Sequence, residues 1–205
     1  MVAVPLIFTS GWASGINCYA VVLMLGLLGR FGHEAAVPPA LERTDVLAVA
    51  AVLFAAQFVA GKVPFVDSAW DVVHTAVRPV FGGAIGLLMA HHAHGSLTQA
   101  IAATALGGGT SLVTHLVKTG VRMGVNTSPE PVSNIIASLA EDLTVAGMVT
   151  FAVLHPVAAA VTAAVLLILG AILVVALARR IRRAWQNRRE RRRLRQAGLQ
   201  GAGGS

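Results

Sequence analysis

Two groups of ionisable side chains interrupt long apolar stretches of this chain. The first is Asp67, Asp71, His74 and Arg78, with Lys62 just upstream. At 3.6 residues per turn their spacing places all four on one helical face, where acid and base neutralise each other. The second runs His115, Lys118 and Arg122, then Glu130, Asn134, Glu141 and Asp142. A charge in hydrocarbon costs about 2.5–3.5 kcal/mol on the lenient insertion scales. Such groups are therefore expected to face one another or water, and a polar interior is the expected seat of function. The chemistry open to them is proton or cation handling, orientation of a solute, or simple pairing that holds helices together.

The surrounding composition sets the solvent. The chain is 56% hydrophobic and only 12% charged, against about 25% charged in soluble domains. Mean hydropathy is +0.73. This is the composition of an integral membrane protein. The formal charge of +7 gathers in one C-terminal run, Arg179 to Arg195. No aromatic stacking platform accompanies the run, so nucleic acid is not the expected partner. A basic stretch just past a membrane helix reads instead as a cytoplasmic anchor on anionic lipid. The single cysteine, Cys18, excludes an internal disulfide and reads as a small packing residue. The N-terminus lacks the pattern of a cleaved leader, so the first helix is expected to be retained.

The positioning elements follow from apolar runs and breakers. The expected fold is an all-α polytopic bundle of about six helices, with residues 1–178 in the membrane and 179–205 as a basic cytoplasmic tail. Helix 1 is read as Val4 to Arg30 and helix 2 as Thr44 to Lys62. Helix 3 is read from Asp67, as its N-cap, to Met89, with a kink at Pro79. Helix 4 is read as Leu97 to Met123, where Gly107 to Gly109 permit close approach or a local break. Helix 5 is read as Pro131 to Leu154. Helix 6 runs to about Ala178, with possible extension into the Arg-rich tail. With that tail inside, six crossings place both termini in the cytoplasm. The helix 2–turn–helix 3 and helix 4–turn–helix 5 units then point the same way, as a degenerate tandem repeat would.

Each cluster has a plain reading beside the functional one. The charged face of helix 3 could line a vestibule or lie in water as an interfacial segment. Lys118 and Arg122 could snorkel to a helix end, but His115 lies roughly 10 Å deeper. Glu141 falls about 15 Å along its helix from Pro131, near the midplane of a layer about 30 Å thick. In helix 1, Ser10, Gly11, Ser14 and Gly15 make a small-residue surface for close contact. Asn17 reaches a depth similar to Glu141 and could bond a partner helix or a solute, as could Gln57. His91, His92 and His94 could bind a divalent metal, but their spacing is not a recognised ligand motif and a solvated turn is the plainer reading. No phosphate loop, nucleophile elbow or zinc-protease motif is present, and no cofactor is expected.

Three stretches carry a family resemblance. They are Ser14-Gly15-Ile16-Asn17-Cys18-Tyr19, the run from Lys62 to Pro79 that holds Asp67, Trp70, Asp71, His74 and Arg78, and Asn126 to Asn134. With Ser138, Glu141 and Asp142 these resemble the signature blocks of the DUF4126 membrane proteins. Gly61 and Gln57 stand where the family would have acids, which alters charge balance at the end of helix 2. The resemblance implies a bacterial multi-spanning protein and carries no mechanism.

Three function classes follow. The first is a small transporter or channel-like protein whose cytoplasm-facing cavity takes a small or anionic solute or a lipid headgroup. Its binding set would be Asn17, Lys62, Asp67, Asp71, His74, Arg78, His115, Lys118, Arg122, Asn134, Glu141 and Asp142, with a basic mouth and an acidic floor. The second is an enzyme on a lipid-linked substrate, with Asp67, Asp71 and His74 as metal ligands or acid–base groups. The third is a structural partner in which the charges pair for folding. Anionic lipid and a small solute are the expected partners, in a monomer or an oligomer.

Overall fold

The computed structural model describes residues 3–125 and 131–202. Residues 126–130, with Glu130, and the side chains of Asp67 and Asn134 lie outside the described residues. The helices are α1 (Ala3–Gly32), α2 (Thr44–Ala60), α3 (Pro64–His92), α4 (Leu97–Val125), α5 (Pro131–Leu154) and α6 (Pro156–Ala202). A short 3-10 turn spans Pro39–Glu42, and no strand occurs among the described residues. Five helices are long and apolar enough to cross a membrane. The sixth, α2, has 17 residues and a length of about 25 Å at 1.5 Å per residue. It falls short of a hydrocarbon layer about 30 Å thick.

Helix α1 is the axis of the bundle and packs against every other helix. Of its most apolar window 78% is buried, against 6% for α6. Small residues allow this centrality. A Cβ on Gly11 would come within 2.6 Å of the Gly107 carbonyl oxygen, and one on Gly15 would meet Thr114 Cβ at 2.6 Å. Gly107 itself lies against the Gly82 backbone of α3. Gly107 and Gly108 in α4 therefore serve close approach, and α4 continues through the glycine run as one helix.

The α3 face is inside-out. Arg78 is 1% exposed and Asp71 6%, while Val72 is 75% exposed and Val80 67%. His74 is buried with them. An interfacial helix would show water the reverse pattern, so that reading of Asp71, His74 and Arg78 is corrected. An outward valine face suits lipid.

Several boundaries differ from expectation for stated reasons. Helix α3 begins at Pro64 after an extended Val63, so Asp67 is not its N-cap. Proline with its fixed φ is favoured at the first helical position. Helix α3 passes through Pro79 as one helix and reaches His92, so His91 and His92 end a helix instead of forming a turn. His92 Nε2 bonds the Ala35 carbonyl oxygen at 2.9 Å. Helix α6 continues to Ala202, 47 residues in all. The real interruption falls in α1, at Asn17, where φ is −150° and ψ 94°.

Candidate functional site

The site is built on that interruption. A helix that stops leaves carbonyls without donors, and one that restarts leaves N–H groups without acceptors. Asn17 answers the second need. Its Oδ1 accepts the N–H of Ala20 at 3.1 Å, the bond of an N-cap to the third residue of a helix. Two cations answer the first. Arg78 Nη1 donates to the Gly15 carbonyl oxygen at 3.3 Å, and Lys118 Nζ donates to that of Ile16 at 3.2 Å. The two halves of α1 are thus joined through side chains of α3 and α4.

The cations are in turn held by acids. Arg78 Nη2 bonds Asp71 Oδ1 at 3.0 Å, and Lys118 Nζ lies 3.9 Å from the same oxygen. Glu141 takes Arg122 in a two-pronged pair, Nε to Oε1 and Nη2 to Oε2, both at 2.9 Å. Lys118 Nζ adds a third contact to Glu141 Oε2 at 3.0 Å. Planar two-pronged pairing gives direction as well as energy. Lys118 therefore bridges the acid of α3 and the acid of α5. The expected basic mouth and acidic floor are not separate: the charges interleave.

Histidines complete the web. Guanidinium only donates, so the contact between Arg78 Nη1 and His115 Nδ1 makes that nitrogen an acceptor. His115 Nε2–H then donates to Thr75 Oγ1 at 3.0 Å, and the Thr75 hydroxyl donates to the Asp71 carbonyl oxygen at 3.1 Å. The ring is neutral in this arrangement. His74 Nδ1–H donates to the Trp70 carbonyl oxygen at 2.8 Å, and its Nε2 accepts the Tyr19 hydroxyl at 3.2 Å. Trp70 stacks on the His74 ring, with centroids 5.0 Å apart.

Asp142 stands apart from its neighbour. Asn17 Nδ2 donates to its Oδ1 at 2.9 Å, while its Oδ2 is buried without a hydrogen-bond partner among the described residues. It borders a cavity of about 10 Å³ shared with Gln57, Trp70, Arg78, Lys118, Arg122, Ser138 and Glu141. That is room for one water. On the other side of the ion pairs lies a cleft of about 220 Å³ between α1, α4, α5 and α6, floored by Lys118, Arg122 and Glu141.

Of the expected binding set, the fold gathers Asn17, Asp71, Arg78, His115, Lys118, Arg122, Glu141 and Asp142, with His74 one layer away. Lys62 stands at the margin, in the turn between α2 and α3. Its Nζ donates to the Phe58 carbonyl oxygen at 2.9 Å and sits over the Phe58 ring. Burial holds its ammonium below the usual lysine value, and the charge of Asp142 opposes that shift. No group of three or more His, Cys, Asp or Glu among the described residues is placed to hold a metal. Asp71 and His74 are already engaged by Arg78, Lys118, Trp70 and Tyr19. Tyr19, Thr75 and the indole of Trp70 were not singled out from sequence as site groups. The available signal was the Ser-Gly-Ile-Asn run, whose residues disfavour a helix interior.

Residues 4–176 match the family model described as domain of unknown function DUF4126. The chain belongs to that family. No curated protein and no solved structure matched it.

Proposed function

We propose that the protein is a transporter-like membrane protein that holds a small polar or anionic solute at the break in α1. One observation carries the reading. Backbone that leaves the helix inside a membrane span is tolerated where it lines a cavity or lies in protein, and half-helix ends are a recurrent ion and solute site. Here both half-helix ends meet charged or amide side chains from α3, α4 and α5. The state described is closed. Parting of Glu141 from Lys118 and Arg122 would join the cavity to the cleft beside α6. In this reading the Arg-rich end of α6 lies in the cytoplasm against anionic lipid, in a bacterial inner membrane. Counting α2 as a crossing puts the N-terminus on the same side.

A second reading, a polar core that serves folding alone, draws on the full pairing of Asp71 and Glu141. Water access separates the two. Cys18 is the chain's only cysteine, so Cys18→Ala gives a clean background. Cysteine at Ser138, which is buried against the cavity, is expected to react with a small water-soluble thiosulfonate in proteoliposomes. Cysteine at Ile136, 62% exposed on the outer face, is the lipid-side control. A Ser138→Cys thiol as inert as the Ile136→Cys thiol would defeat the transport reading and leave the folding role.

A further inference from the structure

Four of the residues that line the small cavity each carry a buried polar atom with no hydrogen-bond partner among the described residues: Gln57 Oε1, Trp70 Nε1, Arg78 Nε and Asp142 Oδ2. Gln57 is 7% exposed and Arg78 1%. An unmade bond at a buried polar group costs about 1–3 kcal/mol, so four together on one wall point to an occupant. Two of the atoms donate and two accept. Water offers two donors and two acceptors, and the cavity of about 10 Å³ fits one molecule.

The carboxylates differ sharply in their freedom to change charge. Asp71 faces Arg78 and Lys118, and Glu141 faces Arg122 and Lys118. Protonating either acid breaks ion pairs and strands cations. Among the described residues, Asp142 Oδ1 takes its hydrogen bond from the neutral amide of Asn17. A proton added at Oδ2 breaks no bond between protein groups: the water turns to accept from the new Asp142 O–H in place of Trp70 Nε1 and keeps donating to Gln57 Oε1.

We propose that this cavity binds one water and that Asp142 is the proton-binding group of the protein, loaded and unloaded through that water. The inference rests on the transport reading and names its coupling ion. The step is a proton transfer: water-borne H⁺ joins Asp142 Oδ2 and leaves by the same oxygen, with no other bond made or broken. The charged groups around Asp142 are Lys62 from the α2–α3 turn, Arg78 from α3, Lys118 and Arg122 from α4, and Glu141 on α5. Asn17 is the link from proton to helix. The amide that holds Asp142 also caps the second half of α1, so a change of charge at Asp142 is felt at the break.

The test is infrared difference spectroscopy of the full chain in proteoliposomes during a pH titration. A protonated-carboxyl band is expected to grow in as pH falls, to vanish in Asp142→Asn and to persist in Glu141→Gln. Should Asp142→Asn not fold, two milder variants report on the same group. Gln57→Leu removes the acceptor for the water to which the protonated acid donates, and is expected to move the midpoint to lower pH. Trp70→Phe removes a donor to the ionised form and is expected to move it higher. A band that survives Asp142→Asn, or midpoints unmoved in both milder variants, overturns the proposal, as does absence of any titrating band. The outcome is independent of the Ser138→Cys labelling. Labelling with a persistent band in Asp142→Asn sinks the proton site and leaves the transport reading; an inert thiol with a band that vanishes in Asp142→Asn leaves a proton-binding carboxyl and defeats the transport reading that makes the proton a coupling ion.

Discussion

Replacing Arg78 with methionine should unfold the polar centre more than any surface change. Arg78 is 1% exposed and its acid partner's side chain 8%. The variant removes the 3.0 Å bond to Asp71 and the bond to the Gly15 carbonyl oxygen. Asp71 keeps only Lys118, 3.9 Å away. Stranding one member of a buried pair costs about 3–5 kcal/mol. At about 1.4 kcal/mol per decade, the folding constant falls roughly a hundredfold to several thousandfold. Asp71→Asn with Arg78→Met removes both charges and should cost less than the two single changes added, by about 0.5–3 kcal/mol of coupling. Reversible unfolding in bicelles measures all three. A loss below about 1 kcal/mol for Arg78→Met, with additive singles, is the behaviour of an exposed pair and would refute a dry, interlocked centre.

Asn17→Ala should cost about 0.5–2 kcal/mol for the lost cap, and amide exchange should quicken at residues 18–20 ahead of the rest of α1; uniform exchange would deny the break. Gly107→Ala should lower thermal stability by about 1–3 kcal/mol through overpacking, because its Cβ meets the Gly82 backbone, whereas Gly109→Ala, with open space around it, should leave the melting temperature unchanged. A peptide of residues 179–202 should bind anionic vesicles at about 1 kcal/mol per basic residue near the surface and release with salt. Equal binding to neutral vesicles would remove the electrostatic anchor.

The membrane class, the helical bundle and most of the site were legible because burial of charge in oil is so costly. Residues such as Asp71, Arg78, Lys118 and Glu141 had few places to go except toward one another. Their register on α3 followed from helical spacing alone. Partner choice did not follow. That Lys118 spans Asp71 and Glu141 depends on how α3 and α5 sit about α1, which pattern reading along one strand of sequence does not contain.

The break at Asn17 was harder to see for a related reason. Val4 to Gly32 has enough hydropathy to pass for one span, and apolar content says nothing of dihedral angles. Only the Gly15 and Asn17 pair hinted at it. The start of α3 was misplaced because Asp67 satisfies cap preference while Pro64 satisfies first-turn preference, and proline won. Glu141 and Asp142 looked alike as adjacent acids. Their environments, roughly 100° apart around α5, made one a locked ion pair and the other the acid with a free oxygen.

The most direct test of the central claim is a spin-label scan along α3 from residue 69 to residue 80 in proteoliposomes. Collision with lipid-dissolved oxygen should peak at Val72, Val73, Ala76 and Val80, which face outward, and fall to minima at Asp71, His74 and Arg78, which face α1 and α4. Peaks of a water-soluble relaxer at Asp71, His74 and Arg78, with the valines shielded, would put the charged face at an aqueous surface and end the account.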